Sequence, residues 1–469
     1  MTAGTAAVAG RRLLFLNWRD LGHPRAGGAE VYCQEVAERF AAAGAEVTLF
    51  ASRFPGAPPT EVRRGVRVLR AGGTFGVYAS AARYLRAHRD EYDAVVDFQN
   101  GIPFFAPLSA GRRTAVVCVI HHVHQQQFAL HFPWPVSRVG QLLEGPVSRR
   151  VYARRPVVVV SPSTRRDVRR QLRLRGPIHV VPNGLAAPEE AVTRDRSRSP
   201  RIAVTSRLVS HKRFDLLLEA LPGLRGRWPD LQVDIAGDGP ERPALEERAR
   251  ALGLTDVVSF HGFVDGPTKD RLVAAAWLTV SPSQAEGWGL TVIEANAAGV
   301  PAVAFDVPGL RDSIVAGETG WLLPPDRALA DGLDDALRTL EDGAVAEQYA
   351  ERCRAWADRF SWDATAERVA AVVMGEVERV RQLPRSRRAP SDLAVRVEAR
   401  VDADGPVSRG LAGGLRRSDQ RVHDGDRLRV LLHGCDETGA ETALRRLGIE
   451  DVQRIGLASP GDLLLGAAA

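Results

Sequence analysis

The amino-acid sequence predicts an α/β protein with two Rossmann-like domains and a small C-terminal appended α+β segment. Short apolar runs typical of buried parallel strands alternate with amphipathic helices from Arg12 to Leu323. The alternation stops at residues 187–200, which are rich in proline, serine and charged side chains, and then starts again. Strand–helix alternation on both sides of a linker predicts two domains, each built on a parallel sheet.

Composition narrows the class of protein. The chain has 469 residues, of which 45% are apolar and 26% charged, as in globular proteins with two or three cores. No apolar run reaches the roughly eighteen residues of a membrane span, and no signal segment is recognisable, so the cytoplasm is the expected location. The four cysteines are far apart and contain no C-x-x-C pair, which argues against a disulfide framework or a zinc finger.

The net charge of +6 comes mainly from arginine, because the chain has only two lysines, Lys212 and Lys269. A basic surface favours anionic ligands such as nucleotides, or an anionic membrane face. Nucleic acid is not expected as a partner, since no nucleic-acid-binding motif accompanies the charge. Lys269 is predicted to be a solvated helix residue.

The first predicted unit is strand, loop, helix, strand. Arg12 to Asn17 is the first strand, the helix starts at Ala29, and Glu46 to Ala51 is the second strand. Gly27 and Gly28 in the loop would let backbone N–H groups approach a ligand, although a simple tight turn explains them equally well. The pattern is not G-x-G-x-x-G, so no dinucleotide site is indicated.

Three histidines follow the predicted strand Thr114 to Ile120, namely His121, His122 and His124. Histidine clusters can bind metals, but the nearest downstream acid is Glu144, so no metal site is expected.

The most basic region follows. A solvated helical face or a surface for anionic lipid would account for it. Its arginines are Arg149, Arg150, Arg154, Arg155, Arg165, Arg166, Arg169 and Arg170.

The second domain starts with a strand at Ile202 to Thr205, and Arg207 and Lys212 lie in the loop that follows. Two cations between a strand end and a helix start suit a diphosphate, with arginine as a planar fork and lysine as a point charge. The loop is not a P-loop, because neither lysine follows a glycine.

The most informative stretch runs from Ser281 to Pro301. A short strand precedes it, Gly287 and Gly289 break the pattern, and a helix is predicted from Leu290 to Ala298. Glu286 lies in the turn and Glu294 in the helix. Open α/β sheets bind ligands at the carboxyl ends of strands, and a helix N-terminus favours anions, although a solvated cap is the simpler interpretation.

Glu286 and Glu294 form an E-x7-E pair within SPSQAEGWGLTVIEANAAGVPAVA, which is similar to the signature of family 4 retaining glycosyltransferases. The resemblance implies the GT-B fold, in which two Rossmann-like domains face each other across a cleft that holds the active site. It implies that Glu286 contacts the transferred sugar and that Glu294 binds the ribose of the nucleotide.

The same resemblance assigns further residues. The loop of Gly27 and Gly28 would face donor phosphate and acceptor, and Arg207 and Lys212 would bind the donor diphosphate. His122 would contact the sugar or acceptor, with His121 and His124 as alternatives. The family commonly has glycine where this chain has Arg213. The resemblance completes the donor site with Gly262, Phe263, Gly287, Gly289 and Leu290, and makes the catalytic set Glu286, His122, Arg207 and Lys212.

The resemblance covers residues 11–382. The expected domains are residues 1–190, residues 200–360 with the nucleotide-sugar site, a helix at 361–383 that returns to the first domain, and an appended module or partly ordered tail at 391–469. Residues 394–401 and 428–432 alternate like strands and residues 442–447 are consistent with one short helix, but the tail carries little apolar sequence for a core.

The implied function is transfer of a hexose from a nucleotide diphosphate sugar (UDP-, GDP- or ADP-linked) to a glycolipid or polysaccharide precursor, with retained anomeric configuration. No metal or other cofactor is expected, and peripheral contact with an anionic membrane fits a lipid-linked acceptor. A nucleotide-sugar epimerase and a non-catalytic nucleotide-sugar-binding protein are the alternatives.

Overall fold

The computed structural model describes residues 4–186, 195–382 and 394–458, apart from 403–404, 406, 408–410, 412–413 and 417–418. The predicted linker at 385–390 and most of that at 187–200 lie outside the described residues. The chain forms two compact units, the first from residues 1–160, 164–182 and 362–469 and the second from residues 161–163 and 183–361.

The first unit contains an eight-stranded sheet in the order β3-β4-β2-β1-β5-β6-β7-β8, parallel except that β3 runs antiparallel to β4. The central strands are buried along almost their whole length, as the continuous apolar runs predict. The strands are β1 (Arg12–Leu16), β2 (Glu46–Ala51), β3 (Thr60–Arg63), β4 (Val66–Arg70), β5 (Ala94–Gln99), β6 (Ala115–Ile120), β7 (Val157–Val159) and β8 (Ile178–Val180).

Helices of the first unit pack on this sheet through aromatic contacts. Phe40 meets Phe15 of β1 edge to face at 5.9 Å, and Tyr32 meets Trp362 in the same geometry at the same distance. The helices are α1 (Gly28–Ala42), α2 (Gly76–Ala87), α3 (Gln125–His131), α4 (Val136–Leu142), α5 (Ser148–Val151), α6 (Pro162–Asp167) and, after the second unit, α14 (Trp362–Gln382).

One acidic side chain is fully buried in this sheet. Asp97 of β5 accepts hydrogen bonds from the amides of Phe104 at 3.0 Å and Ala106 at 3.1 Å, and from the hydroxyl of Tyr152. Burial raises the pKa of Asp97 to about 6, although these hydrogen bonds act to lower it.

The second unit is a six-stranded, all-parallel sheet in the order β11-β10-β9-β12-β13-β14. Its strands are β9 (Arg201–Thr205), β10 (Gln232–Ala236), β11 (Val258–Gly262), β12 (Leu278–Ser281), β13 (Ala302–Phe305) and β14 (Gly320–Leu323). Its helices are α7 (Phe214–Arg225), α8 (Arg242–Ala251), α9 (Gly266–Ala275), α10 (Leu290–Ala297), α11 (Leu310–Ser313), α12 (Leu329–Glu341) and α13 (Gly343–Ala357). Two Rossmann-like units confirm the predicted fold class.

The C-terminal module is an antiparallel sheet in the order β16-β17-β15-β18 with one helix. The elements are β15 (Ala394–Arg400), β16 (Gln420–Asp424), β17 (Arg427–His433), α15 (Glu437–Arg446) and β18 (Val452–Ala458). The sequence predicted parts of β15, β17 and α15 but neither β16 nor β18. The expectation that too little apolar sequence exists for a core is wrong. Alternating strands bury one face each, so residues such as Val395, Val397, Leu428 and Val430 suffice.

None of the helices within the described ranges is both long and apolar enough to cross a membrane.

Candidate functional site

The loop that carries Glu286 and the loop that carries Arg207 and Lys212 meet at the carboxyl ends of two neighbouring strands of the second sheet. Glu286 lies between β12 and α10, and Lys212 lies in a short turn after β9, the strand that pairs with β12. The ammonium of Lys212 forms an ion pair with Oε1 of Glu286, and the hydroxyl of Ser283 donates to the same oxygen at 2.8 Å. The fold therefore brings together two of the four predicted catalytic residues.

Glu286 is held in its ionised form. Burial alone would raise the pKa of its carboxyl, but the charge and hydrogen bond of Lys212, the hydrogen bond from Ser283 and the charge of His211 together keep the pKa below its usual value. The site thus keeps a carboxylate charged where few waters reach it.

Two glycines with positive φ shape this loop. Gly289, the N-cap of α10, has φ of +90°, and a Cβ there would lie 2.7 Å from the hydroxyl of Ser313. Gly309 has φ of +85°, and a Cβ there would lie 2.3 Å from the carbonyl oxygen of Glu286. Any larger residue at either position would therefore displace the loop that carries Glu286. Gly289 was among the predicted donor-site residues, whereas Gly309 was not.

The loop that carries Arg207 rests against a second glycine turn. Cβ atoms on Gly237 and Gly239 would lie only 1.8 and 2.2 Å from the carbonyl oxygens of Ser206 and Leu208. Arg207 is exposed and makes no ion pair with any acid of the described ranges. Its guanidinium is thus available to an anion.

Arg213 occupies the position where glycine is common in the resembling family. Its φ of +53° and ψ of +40° lie in the left-handed region, which glycine adopts at little cost. Its guanidinium bonds to the carboxylate of Asp215 at 3.0–3.1 Å, which offsets part of the strain. The loop therefore has the backbone conformation typical of glycine despite the substitution.

The second carboxylate also has a lysine partner. Nζ of Lys269, on α9, lies 3.4 Å from Oε2 of Glu294 on α10. Burial raises the pKa of Glu294, and Lys269 only partly opposes this. The prediction that Lys269 is a helix residue agrees with α9, but its side chain is only 33% exposed and has a carboxylate partner that was not predicted. The scarcity of lysine in the chain was the only sequence signal for this pairing.

Phe263 follows β11 directly and is 90% exposed, which is unusual for a phenylalanine. Gly262 before it has φ of +69°, and a Cβ there would lie 2.7 Å from the guanidinium of Arg242. The turn presents an aromatic ring to solvent. By contrast Trp288 is buried and meets Phe360 edge to face at 5.1 Å.

The predicted residues of the first unit lie on β1–α1 and after β6. The amide of Gly27 donates to Oε2 of Glu30 at 2.8 Å, so this N–H already has a partner. Gly28, the first residue of α1, has open space where a Cβ would be. Of the two glycines, Gly28 is thus the one that leaves room for a ligand.

The three histidines have different environments. His121 packs between Phe98 and Tyr32, and burial lowers its pKa to about 3, with the charge of His124 adding to the shift. His122 contacts the amide nitrogen of Gln127 at 3.1 Å. His121 is thus neutral and packed against aromatic rings, and all three histidines stay candidates for the sugar or acceptor contact.

Glu144 lies closer to the histidines than the sequence indicated. Its carboxylate accepts the backbone N–H of His124 at 2.7 Å and lies 3.5 Å from the ring Nδ1 of the same residue. A helical turn at residues 143–147 brings it there. Within the described ranges no group of three or more His, Cys, Asp or Glu side chains is placed to hold a metal ion.

Comparison with known proteins agrees with the fold. A family model described as Glycosyltransferase Family 4 matches residues 26–188, and one described as Glycosyl transferases group 1 matches residues 189–376. A D-inositol 3-phosphate glycosyltransferase of Xylanimonas cellulosilytica is 30% identical over 392 residues, which cover 73% of this chain and 90% of that protein. The alpha-D-kanosaminyltransferase of Streptomyces kanamyceticus is 33% identical over 176 residues, or 37% of this chain, and the match spans only 45% of that protein.

Solved structures show the same architecture. Sucrose-phosphate synthase from Thermosynechococcus elongatus superposes with a TM-score of 0.64 at 22% identity, covering 80% of this chain and 100% of that one. The Anabaena protein HepE, solved with UDP and glucose, gives a TM-score of 0.57 at 20% identity, covering 77% and 98%. The chain belongs to the glycosyltransferases of the GT-B fold.

Proposed function

We propose that the chain is a family 4 retaining glycosyltransferase that transfers a hexose from a nucleotide diphosphate sugar to a glycolipid or polysaccharide precursor. The observation that carries the proposal is the cluster of Lys212, Ser283 and Glu286 at the edge of a parallel sheet. It keeps a largely buried carboxylate, 15% exposed, ionised beside a lysine and next to the N-terminus of α10. Relatives named as glycosyltransferases support the reaction class.

In this proposal the donor diphosphate binds between Arg207, Lys212 and the first turn of α10. Negative charge develops on the diphosphate as the bond to the sugar breaks, and fixed positive groups stabilise it without reorganising. Removing one such group costs about 3 kcal/mol of transition-state energy. Arg207 and Lys212 would supply the positive charge at the diphosphate in place of a metal ion.

Retention follows if the acceptor attacks from the face that the diphosphate leaves. The bond from the anomeric carbon to the diphosphate oxygen breaks, the bond to the acceptor oxygen forms, and the acceptor proton passes to the diphosphate. Glu286 would hold the sugar and stabilise positive charge at its anomeric carbon. Glu294 would accept hydrogen bonds from the ribose, and the exposed ring of Phe263 would stack on the base.

Residues of the first unit complete the proposal. Gly28 offers open space at the start of a fifteen-residue helix, where partial positive charge favours phosphate. His122 is the histidine that we assign to the sugar or acceptor.

The first unit also exposes an apolar surface that suits peripheral contact with a membrane. Trp134 is 78% exposed, and Val136, Val139 and Leu142 are exposed at three-residue intervals along α4. Such spacing places them on one face of the helix. Apolar side chains next to arginines are typical of helices that lie at a lipid surface. Contact with an anionic membrane would give access to a lipid-linked acceptor.

The membrane contact is tested by sedimentation with anionic vesicles. Trp134→Ala should weaken binding, whereas Phe75→Ala, which removes a ring exposed to a similar extent at the start of α2, should not. Equal binding by both variants and wild type would remove this part of the proposal.

The transfer itself is tested by thermal shift and by turnover. UDP, GDP and ADP and their sugars are screened against wild type and Lys212→Ala. A ligand at 100 times its Kd stabilises by about 2.7 kcal/mol, which is measurable. If one nucleotide base is preferred and the thermal shift is lost in the variant, that nucleotide identifies the donor. Acceptors are then screened with this donor, and NMR shows the anomeric configuration of the product. No shift with any nucleotide contradicts the donor site, and an inverted product contradicts retention.

A further inference from the structure

A cavity beside the C-terminal module is far in sequence from the Glu286 loop. It has a volume of about 760 Å³ and lies within the first unit, between the segment after α6 and the module. Apolar side chains line part of it, including Leu174 from one wall and Leu415, Leu432 and Ala443 from the other. The two family models end at residues 188 and 376, so the module lies beyond both.

Arginines dominate the charge of this cavity. Its lining contains five arginines and two aspartates, namely Arg169, Arg173, Arg175, Arg416, Arg446, Asp419 and Asp436. Of these arginines only Arg169 forms an ion pair with an acid of the described ranges, at 2.9 Å from Asp436. The other four are exposed, and none of them forms an ion pair with an acid of the described residues.

Both aspartates are already occupied by donors. Asp436 accepts from Arg169, from the amide of Ile178 at 3.0 Å and from the amide of Gly439 at 2.8 Å. It therefore fixes the wall of the cavity and has little capacity to neutralise a second guanidinium.

Asp419 is occupied in the same way. It accepts the amides of Arg416 at 2.8 Å and His433 at 3.0 Å. Burial, with Asp436 and Asp419 adding to the shift, raises the pKa of the Cys435 thiol to about 12, so this residue adds no negative charge at neutral pH. The cavity thus keeps a positive potential over an apolar floor.

We propose that this cavity is a second ligand site, which binds a phosphate-bearing anion with an apolar portion. Guanidinium groups match phosphate oxygens in charge and planar geometry, and Leu174, Leu415 and Leu432 offer a surface for the apolar portion. A phosphorylated small molecule and a phospholipid headgroup share this chemistry. The site is independent of the transfer chemistry proposed above.

The proposal is tested by calorimetry on the full chain with inorganic pyrophosphate. Because pyrophosphate also fits the proposed donor site, the titration is made in the Lys212→Ala background, which leaves the cavity unchanged. Replacing Arg173 and Arg446 together with glutamine removes two charged donors, and affinity should fall by at least about tenfold. The matched control replaces Arg170 and Arg445, exposed arginines close in sequence that do not line the cavity.

A second arm uses vesicles of phosphatidylcholine with and without phosphatidic acid. If vesicle binding needs phosphatidic acid and only the Arg173 and Arg446 variant loses it, the ligand is a lipid phosphate. If that variant loses affinity for pyrophosphate but binds vesicles as wild type does, the ligand is a soluble phosphate. Equal effects of the two double variants, or no binding of either probe by the Lys212→Ala protein, would overturn the proposal. Circular dichroism of each variant checks that the fold is retained.

Discussion

The two carboxylates of the E-x7-E pair differ in their surroundings, and this difference predicts different kinetic effects. Glu286 is ionised by Lys212 and Ser283, whereas burial raises the pKa of Glu294. We expect Glu286→Ala to lower kcat strongly while nucleotide binding survives, because Glu286 would act on the sugar. Glu294→Ala should mainly weaken nucleotide binding, because it would act on the ribose.

Steady-state kinetics and nucleotide titration of both variants measure this split. The Lys269→Met variant is the control for Glu294, since it removes the ion-pair partner and leaves the carboxylate. Equal effects of both glutamate variants that appear only in KM would contradict the assigned roles.

The buried Asp97 predicts a pH dependence of stability. Its folded pKa of about 6 lies above the usual value, so its favourable contribution is complete below about pH 4 and is lost as the pH rises through 6. The free energy of unfolding of wild type relative to Asp97→Asn should therefore fall between pH 4 and pH 7. Urea unfolding at several pH values measures it, and a constant difference would show that Asp97 does not titrate in this range.

Individual side chains were the hardest features to predict. The sequence indicated Glu286, Glu294, Arg207 and Lys212, because unusual charges stood beside strand ends and glycines. It did not indicate Ser283, because a serine in a loop has no distinguishing pattern. It did not indicate that Trp288 is buried either, because this burial depends on a partner about seventy residues away, Phe360.

At the scale of the elements, the turn at Gly309 fixes the position of the Glu286 loop. Gly309→Ala should destabilise the second unit by about 1–3 kcal/mol, because its Cβ would overlap the backbone of Glu286. It should also lower kcat more than it weakens nucleotide binding. Gly317→Ala is the matched control, since Gly317 has φ of +77° with open space around the Cβ position. Its substitution would therefore show only the backbone strain of a positive φ, about 1 kcal/mol, without steric overlap.

Denaturant unfolding and steady-state kinetics of the two variants distinguish steric overlap with the Glu286 backbone from the backbone strain of a positive φ. If both variants lose the same stability and the same kcat, Gly309 has no special role in positioning Glu286.

Elements with continuous apolar runs or regular helical spacing were predicted well. The predicted strands at residues 114–120 and 202–205 agree with β6 and β9 within one residue at each end. Strands β3, β16 and β18 were missed, because they are half exposed and polar or charged residues interrupt their apolar sequence. Their pairing depends on neighbouring strands, which a local pattern does not encode.

At the scale of the whole molecule, Asp436 links the C-terminal module to the Rossmann-like sheet of the first unit. It bonds to Arg169 and to the amide of Ile178 in β8. Asp436→Ala would leave this buried amide without a partner and should cost about 1–3 kcal/mol. Hydrogen exchange should show loss of protection at Ile178 and in α15, with β1 and β5 unchanged.

Asp424→Ala is the control, because Asp424 is an exposed acid on β16. Unchanged exchange at Ile178 in the Asp436 variant would show that other contacts hold the module.

The overall organisation was predictable because two stretches of strand–helix alternation surround a polar linker. The docking of the module was not. Three arginines of the basic region, Arg155, Arg165 and Arg169, pair with acids at Glu376, Glu441 and Asp436, far along the chain. Neither a solvated face nor a lipid surface describes these three, and only the tertiary fold shows their partners.

The pairing of both lysines with the two carboxylates gives the protein a built-in spectroscopic label. Lys212 and Lys269 carry the only side-chain amines of the chain. Reductive methylation with ¹³C-formaldehyde would therefore yield two side-chain dimethylamine signals besides that of the N-terminus. One signal would report on Glu286 and the other on Glu294, so occupancy of each half of the donor site could be followed separately in solution.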